Sequence, residues 1–118
     1  MSDPIKPTPE IYRKAARIIE EEGWAKGVYA SKSVADPTKR CYCMEGALMK
    51  AAKLPLTWKS IAGRGFSIVE FAEKILNKKT KAKYVYCVEY NDSSRSAKPV
   101  IKMLNDIADA LEKEQANA

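Results

Sequence analysis

Apolar residues recur every third or fourth position in four stretches of this chain, and each stretch predicts an amphipathic helix. The first begins at Thr8, an N-capping residue followed by Pro9 in the first helical position, where a missing N–H costs nothing. Ile11, Ala15, Ile18 and Ile19 share its inner face, and Gly23 ends it. The second runs from Cys43 to Lys53, rich in Ala and Met and small enough on one side for a neighbour to approach closely, and Leu54-Pro55 stops it. The third opens with Ser67 and Glu70 at the spacing of a capping box, and Phe66 with Phe71 has the placement of a hydrophobic staple. Ile68, Phe71, Ala72, Ile75 and Leu76 then repeat on one face, and Asn77 with the lysines marks the end. The last helix takes Ser96 as its N-cap and tolerates Pro99 in its first turn. Val100, Leu104, Ile107, Ala108 and Leu111 fall on its apolar stripe, while Lys102, Asp106, Asp109 and Lys113 face away.

One segment follows a different period. Tyr84-Val85-Tyr86-Cys87-Val88-Glu89-Tyr90 alternates with high β propensity before Asn91-Asp92-Ser93-Ser94, which predicts a strand and a turn. A lone strand leaves its backbone groups unpaired, so partners are expected among Gly27 to Ser31 or Arg40 to Cys43. The linker from Lys32 to Lys39, containing Asp36-Pro37, has the composition of an exposed loop or hairpin end. The expected class is therefore α+β, mostly helical, with about four helices around one core beside a small sheet or hairpin.

A length of 118 residues suits one domain, 1–118, with 1–7 and 114–118 as flexible tails. With 46% hydrophobic and 31% charged residues the balance is that of a soluble globular protein, and no apolar run reaches the length of a membrane span. Met1-Ser2-Asp3-Pro4 lacks a signal-peptide pattern, which predicts a cytoplasmic protein with no membrane partner.

The three cysteines, Cys41, Cys43 and Cys87, are odd in number and do not suggest a disulfide framework. They lack zinc-site spacing, and the chain has no histidine to complete such a site, so no metal and no cofactor is expected. The absence of histidine also removes the usual general base and any Ser-His or Cys-His pair, leaving carboxylates, Lys or Tyr for catalysis. The net charge of +6 is concentrated in residues 24 to 83, where 13 Lys or Arg face 4 Asp or Glu. Lys78, Lys79, Lys81 and Lys83 are its densest part, able to meet phosphates or an acidic partner or simply to cover a solvated helix end.

The residues that core packing does not ask for lie at the segment junctions. Trp24 between Gly23 and Gly27, Glu45 in the first turn of its helix, and Asn91, Asp92 and Arg95 beyond the expected strand all have structural explanations. Trp24 would cover a helix end, Gly27 would supply a positive φ, Glu45 suits the helix dipole, and Asn91 and Asp92 suit a turn. The functional reading puts Trp24, Tyr29, Glu45, Asn91, Asp92 and Arg95 around one concavity that holds a planar or phosphorylated ligand or a partner. Gly63-Arg64-Gly65 before the third helix is a weaker anion candidate, because it lacks the Lys-Ser of a phosphate loop.

Gly-Trp-x-x-Gly at Gly23, Cys-x-x-Gly-Ala-Leu at Cys43, and aromatic-Asn-Asp followed by Arg at Tyr90 resemble an uncharacterised family of small phage and actinobacterial proteins. The resemblance spans about Tyr12 to Leu111, with Tyr90 where Trp is expected and Ala25 where Cys is frequent. It implies a phage-encoded accessory protein in a host cytoplasm and brings no activity with it. Three function classes follow in order. The first is a small binding or interaction protein that engages a host protein or small ligand. The second is a nucleic-acid binder using the basic middle, although no recognition motif is present. The third is an enzyme with Glu45 and Asp92 as a carboxylate pair.

Overall fold

In the structure, a computed structural model that describes residues 3–32 and 40–118, six helices and one two-stranded hairpin are present among the described residues. The order is α1 (Pro9–Glu22), β1 (Ala30–Lys32), β2 (Arg40–Tyr42), α2 (Met44–Ala51), α3 (Trp58–Ala62), α4 (Phe66–Lys79), α5 (Cys87–Ser93) and α6 (Ala97–Ala116). The mostly helical α+β class holds, with six helices in place of about four. The expected linker from Lys32 to Lys39 lies largely outside the described residues.

Helix α1 begins as its sequence dictates, with the Thr8 hydroxyl accepting from the Ile11 amide and Pro9 in the first turn. Its inner face carries Tyr12, Ala15, Ile18 and Ile19 against α2 and α6, its two most extensive neighbours. Tyr12 is fully buried, and its hydroxyl donates to the carbonyl of Ile68 at 2.6 Å, which fastens α1 to the first turn of α4. Burial raises the Tyr12 phenol well above its usual range, so it stays protonated and keeps donating. Leu48 and Met49 from α2, Ile68 and Leu76 from α4, and Val100, Leu104 and Ile107 from α6 complete the fully buried centre. Ile75 is buried with them.

Two local expectations are corrected. The segment from Tyr84 to Tyr90 is not a strand: its second half forms α5, with Cys87 and Asn91 four residues apart on the buried face. Two carboxylates hold the start of this short helix. Glu73 on α4 accepts from the Cys87 amide at 2.9 Å, and Glu89 accepts from the Tyr86 amide at 3.1 Å. Asn91 and Asp92 therefore sit inside a helix rather than in a turn. The segments expected to pair with that strand pair with each other instead, antiparallel, with Ala30 opposite Tyr42 and Ser31 opposite Cys41.

The capping box at Ser67 and Glu70 is also absent, because α4 starts at Phe66 with Gly65 as its N-cap, two residues before the expected cap. The short α3, capped by the Thr57 hydroxyl on the Ser60 amide, turns so tightly into α4 that the Gly65 amide donates to the Ser60 carbonyl at 2.7 Å. A side chain at Gly65 would meet the Met49 sulfur, so the glycine serves close packing of α4 on α2 rather than an anion. Phe66 is half exposed, and Phe71 packs on Tyr12 with ring centroids 5.9 Å apart instead of closing a staple.

Candidate functional site

After α1 ends at Gly23, the chain runs beside β2. The Tyr42 amide donates to the Gly23 carbonyl at 2.9 Å, and the Ala25 amide donates to the Tyr42 carbonyl at 3.0 Å. This short pairing turns Trp24 towards α5, where its indole N–H donates to Asn91 Oδ1 at 2.8 Å. The next turn needs Gly27, whose φ is +76, and the Gly27 amide donates to Asp92 Oδ1 at 3.0 Å. Tyr29 then lies directly on the start of α2: its carbonyl accepts from the Cys43 amide, and any side chain at Gly46 would fall on that carbonyl.

Asn91 joins these pieces. It is 1% exposed, and its Oδ1 accepts from Trp24 and, at 3.0 Å, from the Met44 amide at the open end of α2. Its Nδ2 donates to the Ala25 carbonyl at 2.9 Å and to Asp92 Oδ1 at 3.2 Å. One side chain from α5 thus satisfies groups on the Trp24 segment and on α2.

The result is a cavity of about 470 Å³ lined by Gly27, Val28, Tyr29, Cys43, Glu45, Val88, Asn91 and Asp92. Its walls are mostly apolar. Val28 and Val88, 49% and 46% exposed, flank it, and among the described residues its charged lining side chains are Glu45 and Asp92. Glu45 is 7% exposed in the first turn of α2, and no described residue donates a hydrogen bond to its carboxyl group. Burial pushes that carboxyl up to about 7, with the neighbouring acids Glu73 and Asp92 adding to the rise. Desolvation outweighs the helix dipole here. The Tyr29 hydroxyl is raised by burial and by Glu45.

Cys43 caps α2, its Sγ accepting from the Gly46 amide at 3.3 Å. Burial pushes its thiol up to about 11, and Cys87 is likewise raised well above its ordinary value by burial. Both are therefore thiols rather than nucleophilic thiolates near neutrality. All three cysteines are free.

Of the residues expected to share a site, Trp24, Tyr29, Glu45, Asn91 and Asp92 come together, with Trp24 behind the wall rather than on it. Arg95 does not join them. It is exposed just before α6 and makes no hydrogen bond or ion pair among the described residues, so the lining supplies no guanidinium for a phosphate. Sequence patterning does not single out Val28, Cys43 or Val88: Val88 falls in an alternating segment that reads as a strand, and a small thiol such as Cys43 reads as core. Lys78 and Lys79 end α4, and Lys81 and Lys83 follow in the next turn. Lys79 reaches Asp106 at 3.6 Å, and Lys83 lies over the Tyr84 ring.

Fold and site together define a small helical protein with an acidic, apolar-walled cavity built between a helix N-terminus, a turn and a short helix. Residues 3–110 match the model of a Family of unknown function (DUF6197), and the chain belongs to that family. No curated protein and no solved structure matches it. Among the described residues, no helix is long and apolar enough to cross a membrane.

Proposed function

We propose that the protein is a small-ligand-binding protein whose ligand sits in the cavity between Tyr29, Glu45 and α5. The observation that carries this reading is Glu45, a residue only 7% exposed that lines the cavity and whose carboxyl group accepts no hydrogen bond from any described residue. A ligand that donates to this carboxyl group and shields it from water forms a charge-assisted hydrogen bond in a low-dielectric setting. Asp92 and Asn91 add fixed polar groups beside apolar Val28 and Val88, the mixture typical of small-molecule sites. Taken with the resemblance to small phage and actinobacterial proteins, this becomes an accessory protein that sequesters or senses a small molecule in the host cytoplasm.

The test is an amide chemical-shift survey of the labelled protein against a fragment library. Shifts are expected to cluster on Val28, Tyr29, Glu45 and Val88. Clustering elsewhere, or none, overturns the reading.

A polyanion-binding role is the second reading, favoured by a separate cleft of about 340 Å³ in which Arg40, Lys50 and Lys53 converge. It requires DNA or RNA affinity at low salt that falls by roughly tenfold or more between about 50 and 200 mM salt. Catalysis by Glu45 and Asp92 is third, resting on the raised Glu45 carboxyl as a group able to exchange protons near neutrality.

A further inference from the structure

We propose that the cavity takes an organic cation, an ammonium group carried on a short apolar or aromatic body; this rests on the ligand-binding reading above. The chain carries a net charge of +6, yet among the described residues no Lys or Arg lines the cavity and both charged lining residues are acids. The inner acid is the stronger indicator. Glu45 is more than nine-tenths buried, lines the cavity and receives no hydrogen bond from a described residue, so its oxygens remain available to a donor. Asp92 is oriented by the Gly27 amide and by Asn91, both of which engage its Oδ1 and leave Oδ2 without a described donor. An ammonium group brings donors and no acceptor, the complement of two carboxylates. A phosphate or carboxylate would add a third negative charge to the same space.

The apolar body has its own place. Val28 and Val88 are each about half exposed and line the cavity, so a hydrocarbon or ring lying between them removes apolar surface from water. A bare metal ion fits less well, because no group of three or more metal-ligating side chains occurs among the described residues.

Cation binding carries a proton signature. Glu45 faces Glu73 from α4, Asp92 and Cys87 from α5, Cys43 at the start of its own helix, and Tyr29 from the turn before β1. Every one of these is acidic or neutral, and burial, with Glu73 and Asp92 adding to it, holds the carboxyl up near 7. An arriving ammonium favours the ionised carboxylate, so below that pH binding releases a proton, and affinity rises as pH increases.

The experiment is titration calorimetry with three probes of one shape: phenethylammonium, phenethyl alcohol and phenylacetate. The ammonium is expected to bind roughly tenfold or more tightly than the alcohol near pH 8 and to lose about tenfold near pH 5.5, with proton release seen as a buffer-dependent heat. Glu45→Gln is expected to weaken it by about tenfold to a hundredfold and to abolish the pH dependence. Asp92→Asn, which keeps an acceptor for the Gly27 amide, is expected to weaken it as well and serves if Glu45→Gln fails to fold. Alcohol or phenylacetate binding as tightly as the ammonium overturns the cation assignment and leaves a ligand-binding cavity standing. Silence of all three probes, in a protein whose cavity does register fragments by chemical shift, also overturns it. Silence in both experiments overturns both readings.

Discussion

Asn91 has its amide fully engaged in a buried position, and that makes it the most sensitive single residue of the site. Truncating it to Ala strands the Trp24 indole N–H, the Met44 amide and the Ala25 carbonyl at once. Asn91→Ala is expected to lower stability by about 3 kcal/mol in urea denaturation, the scale of a few unsatisfied buried groups. Arg95→Met is the contrast: exposed and without an ion pair among the described residues, it is expected to change stability by less than about 0.5 kcal/mol. Glu45 gives the pH prediction. Its carboxyl lies near 7 in the folded state against an ordinary value of 4.5, so between those values the native protein holds a proton that the unfolded chain has released. Stability contributed by this group is therefore full below the unfolded value and falls as pH rises towards 7, by a total on the order of 3 kcal/mol. Denaturation from pH 5 to 8 should show that decline in the wild type and a flatter profile in Glu45→Gln.

Helix α5 shows where local sequence stops deciding structure. Tyr84 to Tyr90 alternates like a strand, but the outcome is set by groups distant in sequence: Glu73 on α4 holds the Cys87 amide, and Asn91 meets donors on the Trp24 segment and α2. A period of two cannot reveal that Cys87 is enclosed while Val85, Tyr86 and Val88 stay half exposed. Glu89→Ala, which removes the acceptor at the Tyr86 amide, is expected to cost about 1 kcal/mol. At the start of α4 the expectation runs the other way. Ser67→Ala should be nearly silent, within about 0.5 kcal/mol, because its capping box is not formed, whereas Thr57→Ala at the cap of α3 should cost about 1 kcal/mol. Both comparisons are read from thermal or urea unfolding. Long amphipathic helices such as α1 and α6 were legible, caps included in position, because their burial repeats over several turns. The five-residue α3 and seven-residue α5 are too short to show a period.

Across the whole molecule, the site was legible as a set of junction residues and illegible as chemistry. Trp24, Tyr29, Glu45, Asn91 and Asp92 stood out because Gly, Trp, Asn and Asp are poor core choices, and the fold brings them together. Their charge balance was not readable, since it depended on Arg95 lying outside the cavity lining and on Glu45 being enclosed. Among the described residues, Arg40, Lys50 and Lys53 lie in a separate cleft, Lys78 and Lys79 end α4, and Lys81 and Lys83 follow it. Replacing Lys78, Lys79, Lys81 and Lys83 by Gln is accordingly expected to leave binding of phenethylammonium within about twofold at moderate salt, where exposed charges beyond a Debye length are screened. The Met44 amide, finally, is held by a side chain of α5 and by no backbone carbonyl. Hydrogen exchange at that one position becomes a clock for the undocking of α5, and so for how often the cavity wall comes apart. A ligand that bridges Glu45 and Asp92 would slow the clock without touching Met44 itself.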